Sequence, residues 1–203
     1  TIQYLNGTSE WFAFLAITGP QAGRFELSGN MWGAMAGQGS KNRDFQLRFW
    51  GVRGGIPTTK EETFRFGGNT PCVEVHCGNH LIILECGTGI RPFGSALDQS
   101  RPIHADIFFS VSRFDHACGL PFFNAAYNPA NEFKVWAGHL GNDGSIQRYL
   151  TNLMSSPLFP IQLSFIRGLK EWGDFVAGDS FELRDGISVK TATMNNPIGA
   201  TGY

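Results

Sequence analysis

From Phe45 onward the chain alternates apolar and polar positions in short blocks that end at glycine or asparagine. "FQLRFWGV", "CVEVHCG" and "HLIILECG" are rich in β-branched and aromatic residues, which predicts three strands. The last two are separated by Gly78-Asn79, a pair suited to a tight hairpin turn. "ADIFFS" predicts a buried strand and "EFKVWAG" another. "SFELRDGISVKTATM" reads as a hairpin turning at Arg184-Asp185-Gly186.

Helical signals lie between these blocks. A short helix is expected around "IRPFGSALDQ", and a second in "LPFFNAAYN", with Pro121 near its start, where a missing N–H costs nothing. "DGSIQRYLTNLMSS" predicts a third, capped by Asp143 or Ser145. Strands pair locally at first and then alternate with helices, so the expected class is mixed α and β.

Residues 1–44 follow another pattern. Apolar stretches there are cut by Thr18-Gly19-Pro20 and Ser28-Gly29-Asn30, "GRFELSG" alternates like a strand, and "GQGSKNRD" is linker-like. An accessory segment over 1–44 and a main domain over 45–203 are expected.

Composition narrows the function classes. A chain of 203 residues with 42% hydrophobic residues can bury a core of its own. Sixteen Lys and Arg against seventeen Asp and Glu leave a net charge of -1, so no global field attracts nucleic acid or an acidic membrane. The apolar run "WFAFLAI" is far too short to span a bilayer. No basic stretch precedes it and no small-residue cleavage site follows, which argues against a signal peptide and for a cytoplasmic home with reduced thiols. Cys72, Cys77, Cys86 and Cys118 show no C-x-x-C spacing, so they read as small buried hydrophobes rather than zinc ligands.

Chemistry concentrates after "ADIFFS", in "SVSRFDH". Asp115 and His116 are good ligands for zinc or iron, and loops at strand ends are where sites are built. Adjacent residues cannot fill a coordination sphere by themselves. Two roles therefore stand open for the pair: part of a metal site, or a structural Asp capping the helix that follows.

"RFWGVRGGIPTT", "RFGGNTPCVEV", "LIILECGTGIRPFG", "ADIFFSVSRFDHACGLPFF" and "TATMNNPIGATGY" together resemble, in order, the metallo-β-lactamase fold hydrolases. The resemblance is to the branch containing cyclic-nucleotide phosphodiesterase-like and ribonuclease Z-like phosphoesterases, and it runs from about Phe49 to Tyr203. It implies an αββα sandwich, incomplete at the C-terminal end, of which this sequence supplies the first half and the start of the second. It also implies a His-x-His-x-Asp-His metal loop. Carried over, the loop's first two histidines fall on Val111 and Arg113, its Asp-His pair on Asp115 and His116, and a later histidine on Asn196. The structural Asp that follows a strand in the family falls on Glu85.

These departures bear on the chemistry. Valine has no lone pair, a guanidinium cannot deprotonate to ligate, and an amide is a poor substitute for imidazole. The first metal thus loses its ligands while the second keeps Asp115 and His116, its later Asp and last His falling beyond Tyr203, and without a bridged hydroxide there is no activated nucleophile. An Arg113–Asp115 ion pair standing in for the metal's charge is expected. Glycine-rich loops with Arg53, Arg65 and Asn69 are candidate anion contacts or simply tight turns between strands, and His139, at a strand end, is either a residue of the same cleft or a hydrogen-bonded structural histidine.

The expectation is a non-catalytic module that binds a protein partner or forms a homo-oligomer, with no cofactor. The alternatives are a divergent metal-dependent phosphodiesterase carrying zinc, iron or manganese, and a nucleotide or phosphate sensor that does not cleave.

Overall fold

Three strands open the main sheet, in a computed structural model that describes residues 45–203 apart from Phe64, Asn142 and Asp143. β1 (Phe45–Gly51), β2 (Cys72–Cys77) and β3 (His80–Leu84) run antiparallel. Cys77 opposes His80 across the Gly78-Asn79 turn, where Gly78 takes a φ of 61° that a side chain would resist. The accessory-segment expectation for residues 1–44 lies outside the described residues.

Beyond β3 the sheet becomes parallel. β4 (His104–Phe109), β5 (Glu132–Ala137) and β6 (Leu169–Asp174) follow in chain order, which gives a six-stranded mixed sheet ordered β1 to β6. Parallel neighbours need crossover connections, and short helices supply them. These are α1 (Ile90–Ala96), α2 (Phe114–Ala117), α3 (Asn124–Tyr127) and α4 (Ile146–Leu153).

The period-two pattern sends alternate side chains to opposite faces. Ile83, Ile107, Phe109, Phe133 and Val135 are fully buried on the helix-covered face, against Ile90, Phe93, Phe123 and Leu150. On the other face Val75, Ile82 and Phe108 form a second cluster beneath a hairpin of β7 (Ser180–Glu182) and β8 (Ser188–Lys190). Phe181 of that hairpin stacks on Trp136 at 4.7 Å and on Phe108 at 6.4 Å between ring centroids. The layers are therefore helix, sheet and hairpin. Buried His80 meets Asp106 at 2.8 Å on the hairpin side, and the Trp136 indole N–H donates to the same carboxylate.

β9 (Ala192–Thr193) and β10 (Thr201–Gly202) form a small ribbon. It returns the chain to the end of β4, where the Thr201 N–H donates to the Ser110 carbonyl and the Tyr203 hydroxyl to the Phe109 carbonyl.

Two local expectations need correction, and one strand has no counterpart among them. The "LPFFNAAYN" stretch is not one helix: a 3-10 turn over Leu120–Phe122, with Pro121 in its first turn, is followed separately by α3. Ser145 occupies the N-cap position of α4 without a side-chain cap bond; the Ile146 N–H is taken instead by Asp174 of β6 at 2.8 Å. Asp143 lies outside the described residues. Strand β6 escapes the apolar pattern because "LKEWGD" is an edge strand with Lys170 and Glu171 exposed, ordered by its pairing to β5 and by a 3.2 Å Lys134–Glu171 ion pair.

Candidate functional site

The site forms at the C-terminal ends of β3, β4 and β5, where open parallel sheets gather their ligand-facing loops. Glu85 follows β3 with a φ of 67°, uncommon for a residue with a side chain. That backbone turn points its carboxylate inward. Oε1 accepts the Ser110 N–H at 2.9 Å, and Oε2 lies 3.2 Å from His116 Nδ1. The Glu85–His116 approach is an ion-pair distance without hydrogen-bond alignment, so it acts through charge.

Backbone contacts hold α2 against this corner. The Cys86 N–H donates to the His116 carbonyl at 2.7 Å and the Gly119 N–H to the Cys86 carbonyl at 2.8 Å. Such an approach excludes side chains: a Cβ on Gly87 would lie 2.5 Å from the Asp115 carbonyl oxygen, and one on Gly119 would lie 2.0 Å from the Gly87 carbonyl oxygen.

Asp115, 4% exposed, carries three donors. Arg113 Nε reaches Oδ1 at 3.0 Å and Nη2 reaches Oδ2 at 2.9 Å, a two-pronged pair. The Gly55 N–H donates to Oδ2 at 2.9 Å, which ties the "GVRGGIP" loop to the site. Asp115 sits inside the first turn of α2, and Arg113 occupies the N-cap position. The helix-capping role weighed from sequence is thus replaced by an ion pair, as the Arg113–Asp115 expectation has it.

The two histidines of the site shift in opposite directions. Burial pulls His116 down, but the Glu85 and Asp115 carboxylates outweigh it and hold the imidazole above its ordinary 6.5. Burial pulls His139 below 6.5 against the opposing charge of Glu85. His139 follows β5, and its Nε2 lies 2.6 Å from the Ser112 hydroxyl. Sequence reasoning put His139 in the cleft but missed Ser112, Gly55 and the Glu85–His116 contact. The available signal was position, since all follow or face the ends of neighbouring strands.

The remaining predicted residues divide. Val111 is buried. Asn196 uses its side-chain oxygen on the Ile198 N–H, within its own turn. Asn69 is engaged as well: its side chain accepts the Thr88 hydroxyl, and its carbonyl accepts the Val52 and Arg53 N–H groups. Arg65 is exposed and lies over Phe66, 4.9 Å from the ring centroid. Arg53 keeps a buried Nε without a hydrogen-bond partner. Val111, Arg113, Asp115 and His116 come together with Glu85; Arg65 and Asn69 are occupied elsewhere.

The donor set does not suit a metal ion. Both Asp115 oxygens already face a guanidinium, and among the described residues no group of three or more His, Cys, Asp or Glu side chains is arranged to hold one. Cys72 and Cys86 are free thiols raised well above their ordinary value by burial, as expected for small core residues.

A solved structure with the same layering is YhfI of Bacillus subtilis, a metallo-β-lactamase fold protein, at a TM-score of 0.50 and 13% identity over 77% of this chain and 55% of that one. This chain has the metallo-β-lactamase fold. Other structures of that fold also match: a diphosphatase of the PhnP family, at 14% identity over 73% of this chain and 56% of that one with a TM-score of 0.48, and the short form of human tRNase Z, at 16% identity over 76% and 62% with a TM-score of 0.48. The chain spans 55% and 56% of the YhfI and diphosphatase chains. No family model matches the sequence, and no curated protein matches it significantly. Among the described residues, no helix is long and apolar enough to cross a membrane.

Proposed function

We propose that this metallo-β-lactamase-fold chain does not perform metal-dependent hydrolysis and works as a binding module in the cytoplasm, for a protein partner or a second copy of itself. The observation that carries this reading is the two-pronged Arg113–Asp115 pair. A fixed cation bonds the carboxylate that the family resemblance assigns to a metal, and the Gly55 N–H takes a further place on it. Val111 and Asn196, at the other resemblance-assigned ligand positions, bring no imidazole. Attraction between Arg113 and Asp115 then does for loop architecture what a metal does in a ligated site, with no Lewis acid to activate water.

Metal content and turnover of a generic phosphodiester, bis(p-nitrophenyl) phosphate, test the reading on the purified chain. Substoichiometric zinc, iron and manganese with no hydrolysis above background is the expected result. Stoichiometric metal with turnover abolished in Asp115→Ala would establish the divergent metal-dependent hydrolase instead.

A second reading, a non-cleaving phosphate or nucleotide sensor, is favoured by the buried Arg53 Nε without a partner beside a glycine-rich loop. Thermal stabilisation by cyclic nucleotides that disappears in Arg53→Gln would support it, and no stabilisation would remove it.

A further inference from the structure

We propose that Ser112 and His139 form a metal-free nucleophilic dyad that accepts acyl groups from carboxylic esters. The Ser112 hydroxyl and His139 Nε2 are 2.6 Å apart, within the range of a nucleophile and its general base. Their placement is topological. β4 and β5 are parallel neighbours with Phe109 opposite Ala137, and Ser112 and His139 lie three and two residues beyond those ends. Both residues are partly exposed.

This inference goes beyond the binding-module reading, since a serine–histidine pair needs no metal. In the tautomer with Nε2 unprotonated, Ser112 donates to it, and burial holds the imidazole in its neutral form. The Ser112 oxygen attacks the ester carbonyl carbon as its proton moves to Nε2. The tetrahedral oxyanion collapses, the bond to the leaving oxygen breaks, and His139 returns the proton to that oxygen, which departs as an alcohol. Water then attacks the carbonyl carbon of the Ser112 ester as its proton moves to His139, the bond from that carbon to the Ser112 oxygen breaks, and His139 returns the proton to that oxygen as the carboxylic acid leaves.

His139 Nδ1 is buried without a partner, so no carboxylate orients the ring as in a triad. Acylation and release are both slower than with an oriented ring, and with a good leaving group acylation outruns release and the Ser112 ester accumulates.

The test treats the purified full chain with a fluorophosphonate probe, maps the adduct by peptide mass, and follows p-nitrophenyl butyrate in a rapid-mixing experiment. The expected result is an adduct on Ser112 that is insensitive to chelator, together with a burst of about one equivalent of p-nitrophenolate. Ser112→Ala loses both. His139→Gln, folded by circular dichroism, labels roughly a hundredfold more slowly, the scale of a lost general base. No Ser112 adduct on the folded wild-type chain overturns the proposal. So does labelling that persists when the chain is unfolded beforehand, or labelling that is as fast in His139→Gln.

Discussion

Arg113 and Asp115 are two residues apart in sequence and share two parallel hydrogen bonds, of 3.0 and 2.9 Å, at the start of α2. Asp115 is 4% exposed, whereas about a third of the Arg113 side chain meets solvent (34%), so the carboxylate depends on the guanidinium more than the reverse.

Removing Arg113 leaves a buried carboxylate with the Gly55 N–H and the more distant His116 Nε2, 3.8 Å away. Arg113→Ala is expected to lower unfolding free energy by about 2 kcal/mol, below the full effect of breaking a buried pair because Arg113 is partly solvated. Arg113→Lys recovers only part of this, since an ammonium cannot reproduce the fork. Urea denaturation measures both; equal stability of Arg113→Ala and wild type would show that the loop holds Asp115 unaided.

The site's histidines predict a stability maximum near pH 6.5. The folded pKa of His116 is raised, so its contribution is full below the unfolded value of 6.5 and is lost as pH rises through the folded pKa. The folded pKa of His139 is lowered, so the neutral native form is favoured above 6.5 and that stability is lost as pH falls through the folded pKa. Glu85→Gln flattens the alkaline limb by removing the charge that raises His116 and, because that charge also opposes burial at His139, steepens the acid limb, whereas His139→Gln flattens the acid limb. Melting temperatures across pH 5 to about 8.5 in wild type and both variants check the two slopes separately.

Two glycines of the site differ in what they tolerate. At Gly87 a Cβ would meet the Asp115 carbonyl oxygen and the Thr70 hydroxyl oxygen, each at 2.5 Å. Gly55 has open space around it and a φ of 83°. Gly87→Ala should therefore destabilise by more than about 3 kcal/mol or abolish folding, while Gly55→Ala costs about 1 kcal/mol through backbone strain. Expression level and denaturant midpoint rank them, and a well-folded Gly87→Ala protein would contradict the packing.

Phe181 gives the hairpin cover its ring contacts to the sheet, beside Leu183, Ile187 and Val189. Phe181→Ala removes stacking on both Trp136 and Phe108, at an expected cost of about 3 kcal/mol. Hydrogen exchange should quicken over residues 180–190 well before it does over β3, β4 and β5. Uniform acceleration across the sheet would mean that hairpin and sheet unfold as one unit.

Runs rich in β-branched and aromatic residues, bounded by glycine or asparagine, were enough to place β1 to β5, the Gly78-Asn79 turn and the β7–β8 hairpin, because strand preference and turn chemistry are local properties of the chain. Sequence alone also brought Arg113 within reach of Asp115, since both lie on one short loop. It did not reveal β6, whose polar edge becomes a strand only through its pairing with β5. Nor did it reveal that Ser112 meets His139, that Gly55 reaches Asp115 across 60 residues, or that Glu85 turns toward His116. Those contacts are set by which strand ends the parallel sheet makes neighbours and by how closely bare glycines let the loops approach. Both are decided through space, after the chain has folded.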